Sequence, residues 1–145
     1  MVKILLKIVA QDHLVVEKEA DSVSLETIDG QITILPNHVP LVAQLKPGEA
    51  VIKNNNIEEF LAIAGGFVEV GSNKVLVLAN QVERVEEIDI DRAEEAKKRA
   101  EQKLLEMKDK ETVEYTHFAA KLEKELLRIK VARKRRSTHS NQTMN

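Results

Sequence analysis

The second half of the chain opens with a segment suited to chemistry, Ile88-Asp89-Ile90-Asp91-Arg92-Ala93. On a helix, residues at steps of three and four share one face. Two guanidinium groups, a carboxylate and a small side chain on one face could hold phosphate oxygens and leave room for a base or ribose. The residues with this spacing are Asp89, Arg92, Ala96 and Arg99.

The same segment also has a purely structural interpretation. Asp89 or Asp91 could cap the free amide groups at the start of a helix. Asp91 and Glu94 have the spacing of a capping box. Both interpretations stay open on the sequence alone.

No other residues combine into a catalytic centre. His38 has no second histidine or carboxylate at metal-ligand spacing, so a structural or interface role is expected. Gly65-Gly66 lacks the lysine and the following helix of a phosphate loop, and predicts a turn or bulge with positive φ. There is no Cys. We therefore predict no catalytic residue, no metal ligand and no enzymatic activity.

The last charged residues of the sequence form a basic run at 128–136. After residue 127 there is no acidic residue, and the basic ones are Arg128, Lys130, Arg133, Lys134, Arg135 and Arg136. The run could complement a helix dipole. Nucleic-acid binding is disfavoured because no aromatic residues are interleaved to stack on bases.

The first half has the pattern of a β-protein. Its β-branched residues alternate or cluster in short runs, and all 5 Gly and 3 Pro of the chain lie between such runs. Many short strands indicate an antiparallel sandwich or flattened barrel. The predicted strands are 4–9, 22–28, 31–35, 49–53, 58–64, 67–70 and 74–78.

The pattern becomes helical near residue 86. One apolar stripe runs through Ala93, Ala96, Ala100, Leu104 and Met107. After a polar break at 108–111, a second stripe runs through Tyr115, Phe118, Leu122, Leu126 and Ile129. Two such helices with a short link predict an antiparallel hairpin. Each helix needs something to pack on, so the hairpin is a candidate conformational switch.

Composition indicates a globular protein. Hydrophobic residues make up 43% and charged residues 32%, while aromatic residues make up only 3%, so the core should be aliphatic. The net charge of −2 gives no sign of nucleic-acid or membrane binding. No signal peptide is recognised, and no stretch approaches the roughly 20 apolar residues that span a bilayer. Any attachment to a membrane should therefore be indirect.

Several segments together resemble the bacterial F-type ATP synthase epsilon subunit family. They are ILPNHVPLV at 34–42, LKPG at 45–48, AGGFVEV at 64–70, VLVLA at 75–79 and IDIDRA at 88–93. Their order and the sandwich-then-hairpin layout carry the resemblance, which covers about residues 1–132.

The resemblance implies a non-catalytic rotor subunit. Its sandwich would bind the gamma subunit and the c-ring, coupling proton-driven rotation to ATP synthesis. Its hairpin would extend towards the catalytic beta and alpha subunits and restrain ATP hydrolysis. The complex would hold it at the cytoplasmic face of the bacterial inner membrane, as a peripheral protein.

The resemblance also implies site residues. No cofactor is required, but regulatory ATP would contact Ile88, Asp89, Arg92 and Ala93, with Arg99 and Glu83 as accessory residues. The loop facing gamma and the c-ring would include Gln31, His38 and Pro40. An acidic loop of beta would meet Arg128, Arg133 and Lys134. The chain departs from the family at Gln31, where Glu is frequent, and at Thr33, where Gly is frequent, so a charge-based contact to the ring is not expected.

We predict an α+β chain with a β-sandwich at 1–85, a helical hairpin at 86–133, and a disordered basic and polar tail at 134–145. The alternative function is a stand-alone ATP-sensing module, in which the hairpin is the switch and the sandwich only its base. Stable binding to gamma would separate the two.

Overall fold

A computed structural model describes residues 2–11 and 13–143, with side chains as far as Arg136. The described chain divides between Arg84 and Val85 into two compact units. The first contains strands and the second contains helices. The predicted fold class, a β-sandwich followed by two helices, is confirmed.

The described residues of the first unit form ten strands. They are β1 Ile4–Ala10, β2 His13–Ala20, β3 Ser22–Thr27, β4 Gly30–Ile34, β5 Leu41–Leu45, β6 Gly48–Asn54, β7 Ile57–Ile63, β8 Gly66–Gly71, β9 Lys74–Ala79 and β10 Val82–Arg84. They pair in the order β10-β7-β6-β3-β5-β8-β9-β1-β2, and β4 pairs with β3. The predicted runs did not include β2, β5 and β10.

The core of this unit is aliphatic, as the scarcity of aromatic residues predicts. Successive side chains of a strand point to opposite faces, so every second residue enters the core. On β1, Ile4, Leu6 and Ile8 are buried, and on β9 Val75 and Val77 are buried. The intervening positions on these strands form the outward face of the sheet.

One pairing departs from the predicted antiparallel arrangement. β1 lies parallel to β9, with Leu5 opposite Lys74 and Ala10 opposite Ala79. The other strand pairs are antiparallel. The N-terminal strand therefore lies inside the sheet, between β9 and β2.

The β8–β9 hairpin requires unusual backbone at both ends. Ser72 and Asn73, with φ of 52° and 58°, form its two-residue turn, as expected for a turn that follows the twist of the strands. At the other end Gly66 has φ of 140°, and a Cβ there would lie 2.1 Å from the Leu78 carbonyl oxygen. The positive φ predicted for Gly65-Gly66 is confirmed.

The second unit is an antiparallel helical hairpin. A 3-10 turn at Val85–Glu87 precedes α1, Ile90–Glu106, and α2 spans Val113–Thr143. The polar link at 107–112 contains the predicted break. The first predicted stripe is confirmed, because Ala93 and Ala100 are buried and Ala96, Leu104 and Met107 are half-buried.

The second stripe departs from the prediction in one place. Leu126 is 45% exposed, and Glu125 is buried instead. After Leu122, the buried row of α2 continues through Glu125, Ile129 and Ala132. These steps of three, four and three follow the seven-residue spacing of packed helices, whereas Leu126 lies beside the row.

The second helix continues past the predicted end of the hairpin at 133. It is helical to Thr143, so the tail predicted from residue 134 begins inside it. No Gly or Pro interrupts 113–143, and Lys and Arg are good helix formers. Disorder of the tail stays a prediction, and Met144 and Asn145 lie outside the described residues.

Candidate functional site

Asp89 caps the first residues of α1. Its backbone is extended, and its Oδ1 accepts a hydrogen bond from the Arg92 backbone N–H at 3.2 Å. The capping-box interpretation with Asp91 and Glu94 is therefore wrong, since both residues follow the cap, inside the helix. A carboxylate at this position also interacts favourably with the positive end of the helix dipole.

The charged candidates for nucleotide binding remain accessible. The Arg92 side chain is 85% exposed, and its Nε lies 3.9 Å from Asp89 Oδ2. Arg99, seven residues further along α1, is also exposed. Two guanidinium groups are thus accessible to an anionic ligand on this part of α1, and the Asp89 carboxylate lies beside Arg92.

The two apolar candidates for nucleotide binding, Ile88 and Ala93, are buried. The side chains of Ile88 and Ala93 are 1% and 0% exposed. The Ile88 carbonyl accepts a hydrogen bond of 2.7 Å from Arg136 Nη2. Glu83 lies on β10, in the first unit. Ile88 and Ala93 thus contribute packing, while Asp89, Arg92 and Arg99 carry the accessible charge.

The basic run of α2 is engaged within the hairpin. Arg128 Nη1 lies 2.8 Å from Glu125 Oε2. Arg133 pairs with Glu94 of α1, so the C-terminal part of α2 meets the N-terminal part of α1. Lys134 is exposed and makes other contacts. Any outside partner of Arg133 would therefore have to compete with Glu94.

The proline loop between β4 and β5 is fixed to a neighbouring turn. The Asn37 backbone N–H donates to Asn73 Oδ1, and Asn73 Nδ2 donates back to Asn37 Oδ1 at 3.1 Å. His38 Nδ1 lies 2.7 Å from the Val39 carbonyl oxygen, so its ring is held close to the loop backbone. Leu35 and Val39 are 55% and 70% exposed. The loop is a rigid, partly apolar projection.

The structure separates the candidate contact residues of this region. His38 and Pro40 belong to the proline loop, whereas Gln31 precedes it by the length of β4 and pairs with Glu26 on β3. Strands rise about 3.3 Å per residue. Gln31 and His38 therefore do not form one compact site.

Sequence reasoning missed an apolar row on the outward face of the sheet. It crosses four strands: Phe67 is opposite Leu78, Leu78 is opposite Val9, and Val9 is opposite Leu14. Phe67, Leu78 and Leu14 are 51–54% exposed, and Val9 is half-buried. Alternation within β8 and β9 marks Phe67 and Leu78 as outward-facing, but the row appears only when the register of β1 is known. We call these four residues the apolar row.

Polar residues border the apolar row. The next outward positions are Glu69 on β8, the half-buried Leu76 on β9 and Lys7 on β1, and Lys7 Nζ lies 3.7 Å from Glu17 Oε1 on β2. A contiguous exposed apolar patch with a polar border is typical of a protein–protein contact. The apolar row is thus a candidate binding face.

Two searches of the described residues complete the survey. None of the described helices has both the length and the apolar character needed to cross a membrane. Within the same residues, no group of three or more His, Cys, Asp or Glu side chains could hold a metal ion.

Two family models match consecutive parts of the chain. The ATP synthase delta/epsilon chain beta-sandwich domain matches residues 3–85, and the ATP synthase delta/epsilon chain long alpha-helix domain matches residues 86–133. Among similar curated proteins, the ATP synthase epsilon chain of Dehalococcoides mccartyi strain BAV1 is 44% identical over 138 residues, 94% of this chain and 96% of the relative. That of Nitratidesulfovibrio vulgaris strain DP4 is 41% identical over 126 residues, 87% and 92% of the two chains.

Solved structures give the same likeness. A chain of the Euglena gracilis mitochondrial ATP synthase, in a structure of OSCP, F1 and c-ring, has 25% identity and a TM-score of 0.71, with 83% of this chain and 76% of that chain covered. A chain of the Tetrahymena thermophila mitochondrial ATP synthase central stalk and c-ring has 15% identity and a TM-score of 0.62, with 90% and 96% covered. The second likeness concerns the fold alone.

Proposed function

The chain belongs to the ATP synthase delta/epsilon chain family, and we propose that it is a non-catalytic rotor subunit whose sandwich binds gamma and the c-ring. In this role it couples proton-driven rotation to ATP synthesis. It is peripheral, held at the cytoplasmic face of the bacterial inner membrane through the complex. ATP is at most a regulatory ligand, since no cofactor is needed for this role.

The apolar row carries the proposal that the sandwich binds gamma. Single exposed apolar residues are normal on a protein surface. Here three exposed apolar residues and the half-buried Val9 adjoin across β8, β9, β1 and β2. Their contact with water is unfavourable unless a partner covers them. The family resemblance supplies gamma as that partner.

The proline loop supports a separate contact with the c-ring. Its two reciprocal amide hydrogen bonds to Asn73 hold His38 and the exposed Val39 in one conformation. A preorganised loop loses little conformational entropy when a partner binds. Gln31 is uncharged and lies at the other end of β4, so the contact at His38 and Pro40 is taken to be apolar and polar, without an ion pair from Gln31.

The hairpin is proposed to restrain ATP hydrolysis. In its extended form, Arg128, Arg133 and Lys134 meet an acidic loop of beta. Arg133 is paired with Glu94 in the closed hairpin. Extension therefore exchanges one acidic partner for another, which keeps the free-energy difference between the two forms small.

Binding of gamma tests the proposal directly. Phe67→Ser and Leu78→Ser should each raise the dissociation constant for gamma several-fold, because a partner would bury the exposed half of each side chain, which contributes about 1 kcal/mol. Isothermal titration or surface plasmon resonance with purified gamma would measure the change.

The matched control is Ile57→Ser. Ile57 is 70% exposed and begins β7, which pairs with β6 and β10 and not with a strand of the apolar row. This variant should bind gamma like the parent chain. Equal affinity of all three folded variants would remove the apolar row as the gamma contact. No binding by the parent chain itself would favour the alternative, a stand-alone ATP-sensing module.

A further inference from the structure

The cap of α1 changes the direction of a backbone carbonyl. In a helix that began one residue earlier, the Arg92 N–H would donate to the carbonyl of Ile88, four residues before it. Here Asp89 is extended, with φ of −87° and ψ of 106°, and its Oδ1 accepts the hydrogen bond from the Arg92 N–H at 3.2 Å. The extended backbone at Asp89 therefore turns the Ile88 carbonyl away from Arg92.

The Ile88 carbonyl instead accepts a hydrogen bond from α2. Arg136 donates to it through Nη2 at 2.7 Å, and the bond is partly buried. Because the donor is a guanidinium group, the bond is charge-assisted and stronger than one between neutral groups. Its two ends are 48 residues apart in the sequence. It can therefore form only while the C-terminal part of α2 lies against the start of α1.

The hairpin is also packed most tightly at this end. Ile129 and Ala132 of α2 and Ala93 of α1 are buried, whereas Leu105 and Val113, beside the link, are 87% and 88% exposed. The contacts that favour closure are thus concentrated at the end away from the link. Loss of the Arg136 bond would act where the two helices are held together.

We propose that Asp89 and Arg136 together form a latch on the closed hairpin. Asp89 keeps the Ile88 carbonyl turned towards α2, and Arg136 binds that carbonyl only in the closed form. Without the Asp89 side chain, residue 89 can adopt helical backbone, the Ile88 carbonyl then accepts the Arg92 N–H, and Arg136 loses its acceptor. A change in the first turn of α1 is thereby transmitted to the end of α2. Any consequence for ATP hydrolysis rests on the proposed function, whereas the latch itself does not.

The absence of Cys from the chain allows a direct test. Cysteines at the exposed positions Gln102 on α1 and Lys121 on α2 accept spin labels in the full chain. Pulsed dipolar spectroscopy, without nucleotide, then gives the ratio of closed to open hairpin. The ratio is compared at the urea concentration at which the parent hairpin is half open, so that changes in either direction can be measured.

Arg136→Gln tests the hydrogen bond to Ile88. It should lower the closed-to-open ratio about fivefold, because it removes a charge-assisted hydrogen bond that only the closed form contains. The matched control is Lys124→Gln, which removes one positive charge from an exposed position of the same helix and should change the ratio less than about 1.5-fold. Equal ratios for the two variants would overturn the proposal.

Two substitutions of Asp89 test the part played by the cap. Asparagine is as good an N-cap residue as aspartate, whereas alanine is a poor one. Asp89→Asn should therefore leave the ratio nearly unchanged, and Asp89→Ala should lower it about fivefold. When Arg136→Gln is already present, adding Asp89→Ala should lower it less than about twofold, because the bond that the cap protects is already absent. An effect of Asp89→Ala that is equally large with and without Arg136→Gln would show that the cap and Arg136 act independently, which contradicts the latch.

The hydrolysis rate of the reconstituted catalytic head separates this inference from the proposed function. Arg136→Gln should lower that rate, because a more open hairpin restrains hydrolysis more. A lowered label ratio with an unchanged rate leaves the latch standing and contradicts the restraint. An unchanged label ratio contradicts the latch, whatever the rate.

Discussion

At the scale of single residues, Glu59 on β7 joins three strands. It accepts hydrogen bonds from Lys18 on β2 and Arg84 on β10, and its side chain is 26% exposed. The hydrogen bond from Lys18, followed by that from Arg84, holds the pKa of Glu59 below its usual value of 4.5, although partial burial acts in the opposite direction. β10 is only three residues long, so this contact is important for its attachment.

Glu59→Gln should lower the free energy of unfolding by about 1 kcal/mol at pH 7. Because the folded-state pKa is depressed, the carboxylate stabilises the fold above its unfolded pKa, and this contribution is lost as pH falls through the folded value. Urea unfolding followed by circular dichroism, from pH 7 down to pH 3, should show the difference between parent and variant shrinking with acidity.

Glu58→Gln is the control for this prediction. Glu58 is the neighbouring residue, pairs with Lys53 at 3.3 Å, and both side chains are about half exposed. Exposed pairs of this kind contribute little, so its stability should follow the parent at every pH. A Glu59→Gln variant that loses the same stability at pH 3 as at pH 7 would contradict the assigned role of the charge.

The residue scale is where sequence reasoning was least complete. The cap at Asp89 was one of two predicted options, because capping depends on neighbours within three residues. The contacts of Glu59 join residues 25 and 41 positions apart, and no local pattern encodes them. Leu126 was placed in the packed row because a step of four and a step of three both fit a helical period of 3.6.

At the scale of elements, local patterns gave most of the strands and both helices. There are physical reasons why β2, β5 and β10 were not predicted. β2 begins with the exposed His13 and Leu14 and mixes charged with apolar residues, since one of its edges has no further strand in the sheet order. β5 follows Pro40 directly, and β10 pairs only with β7. None has the strong alternation on which strand prediction depends.

Nucleotide binding belongs to one element, α1, and stays a hypothesis. It requires the exposed Arg92 and Arg99 to meet phosphate oxygens near the capped start of the helix. Calorimetric titration of the full chain with ATP should then show heat of binding. Arg92→Ala and Arg99→Ala should each lower the fitted affinity for ATP at least tenfold. Lys98→Ala, an exposed cation beside Arg99, should leave the affinity nearly unchanged. No heat at millimolar ATP would remove the hypothesis.

At the scale of the whole molecule, the two units differ in composition as well as in structure. The first has its own aliphatic core and is matched by its own family model. The second begins at Val85 and contains the basic run. A division of labour follows, with the sandwich proposed to bind the rotor and the hairpin proposed to restrain hydrolysis.

Truncation after Arg84 should raise the ATP hydrolysis rate of the reconstituted catalytic head several-fold over the rate with the full chain. The rate should rise because the truncated chain has no hairpin to extend towards the catalytic subunits. A coupled ATPase assay measures the hydrolysis rate. Binding of both forms to gamma is the control. A truncated chain that fails to bind would also raise the hydrolysis rate, simply because the catalytic head would then lack the subunit. Equal rates with intact binding would restrict the function to coupling and assembly.

The charge of the basic run can be tested in the same assay. Lys134→Glu in the full chain should weaken the restraint, and added salt should do the same, because exposed charges are screened. Restraint that is insensitive to both changes would count against the acidic loop of beta as the partner.

The parallel pairing of β1 with β9 has a consequence for biosynthesis. β1 leaves the ribosome before β2 and β9. It can pair with β2 early, but its other edge needs β9, with Leu5 opposite Lys74. Contacts between such distant segments form late, since a long loop must close before they stabilise anything. Until then the nascent β1 has an open edge on which another chain could pair. The exposure ends when β9 emerges and pairs with β1. The nascent chain is therefore most prone to aggregate through β1 while the residues between β2 and β9 are being synthesised.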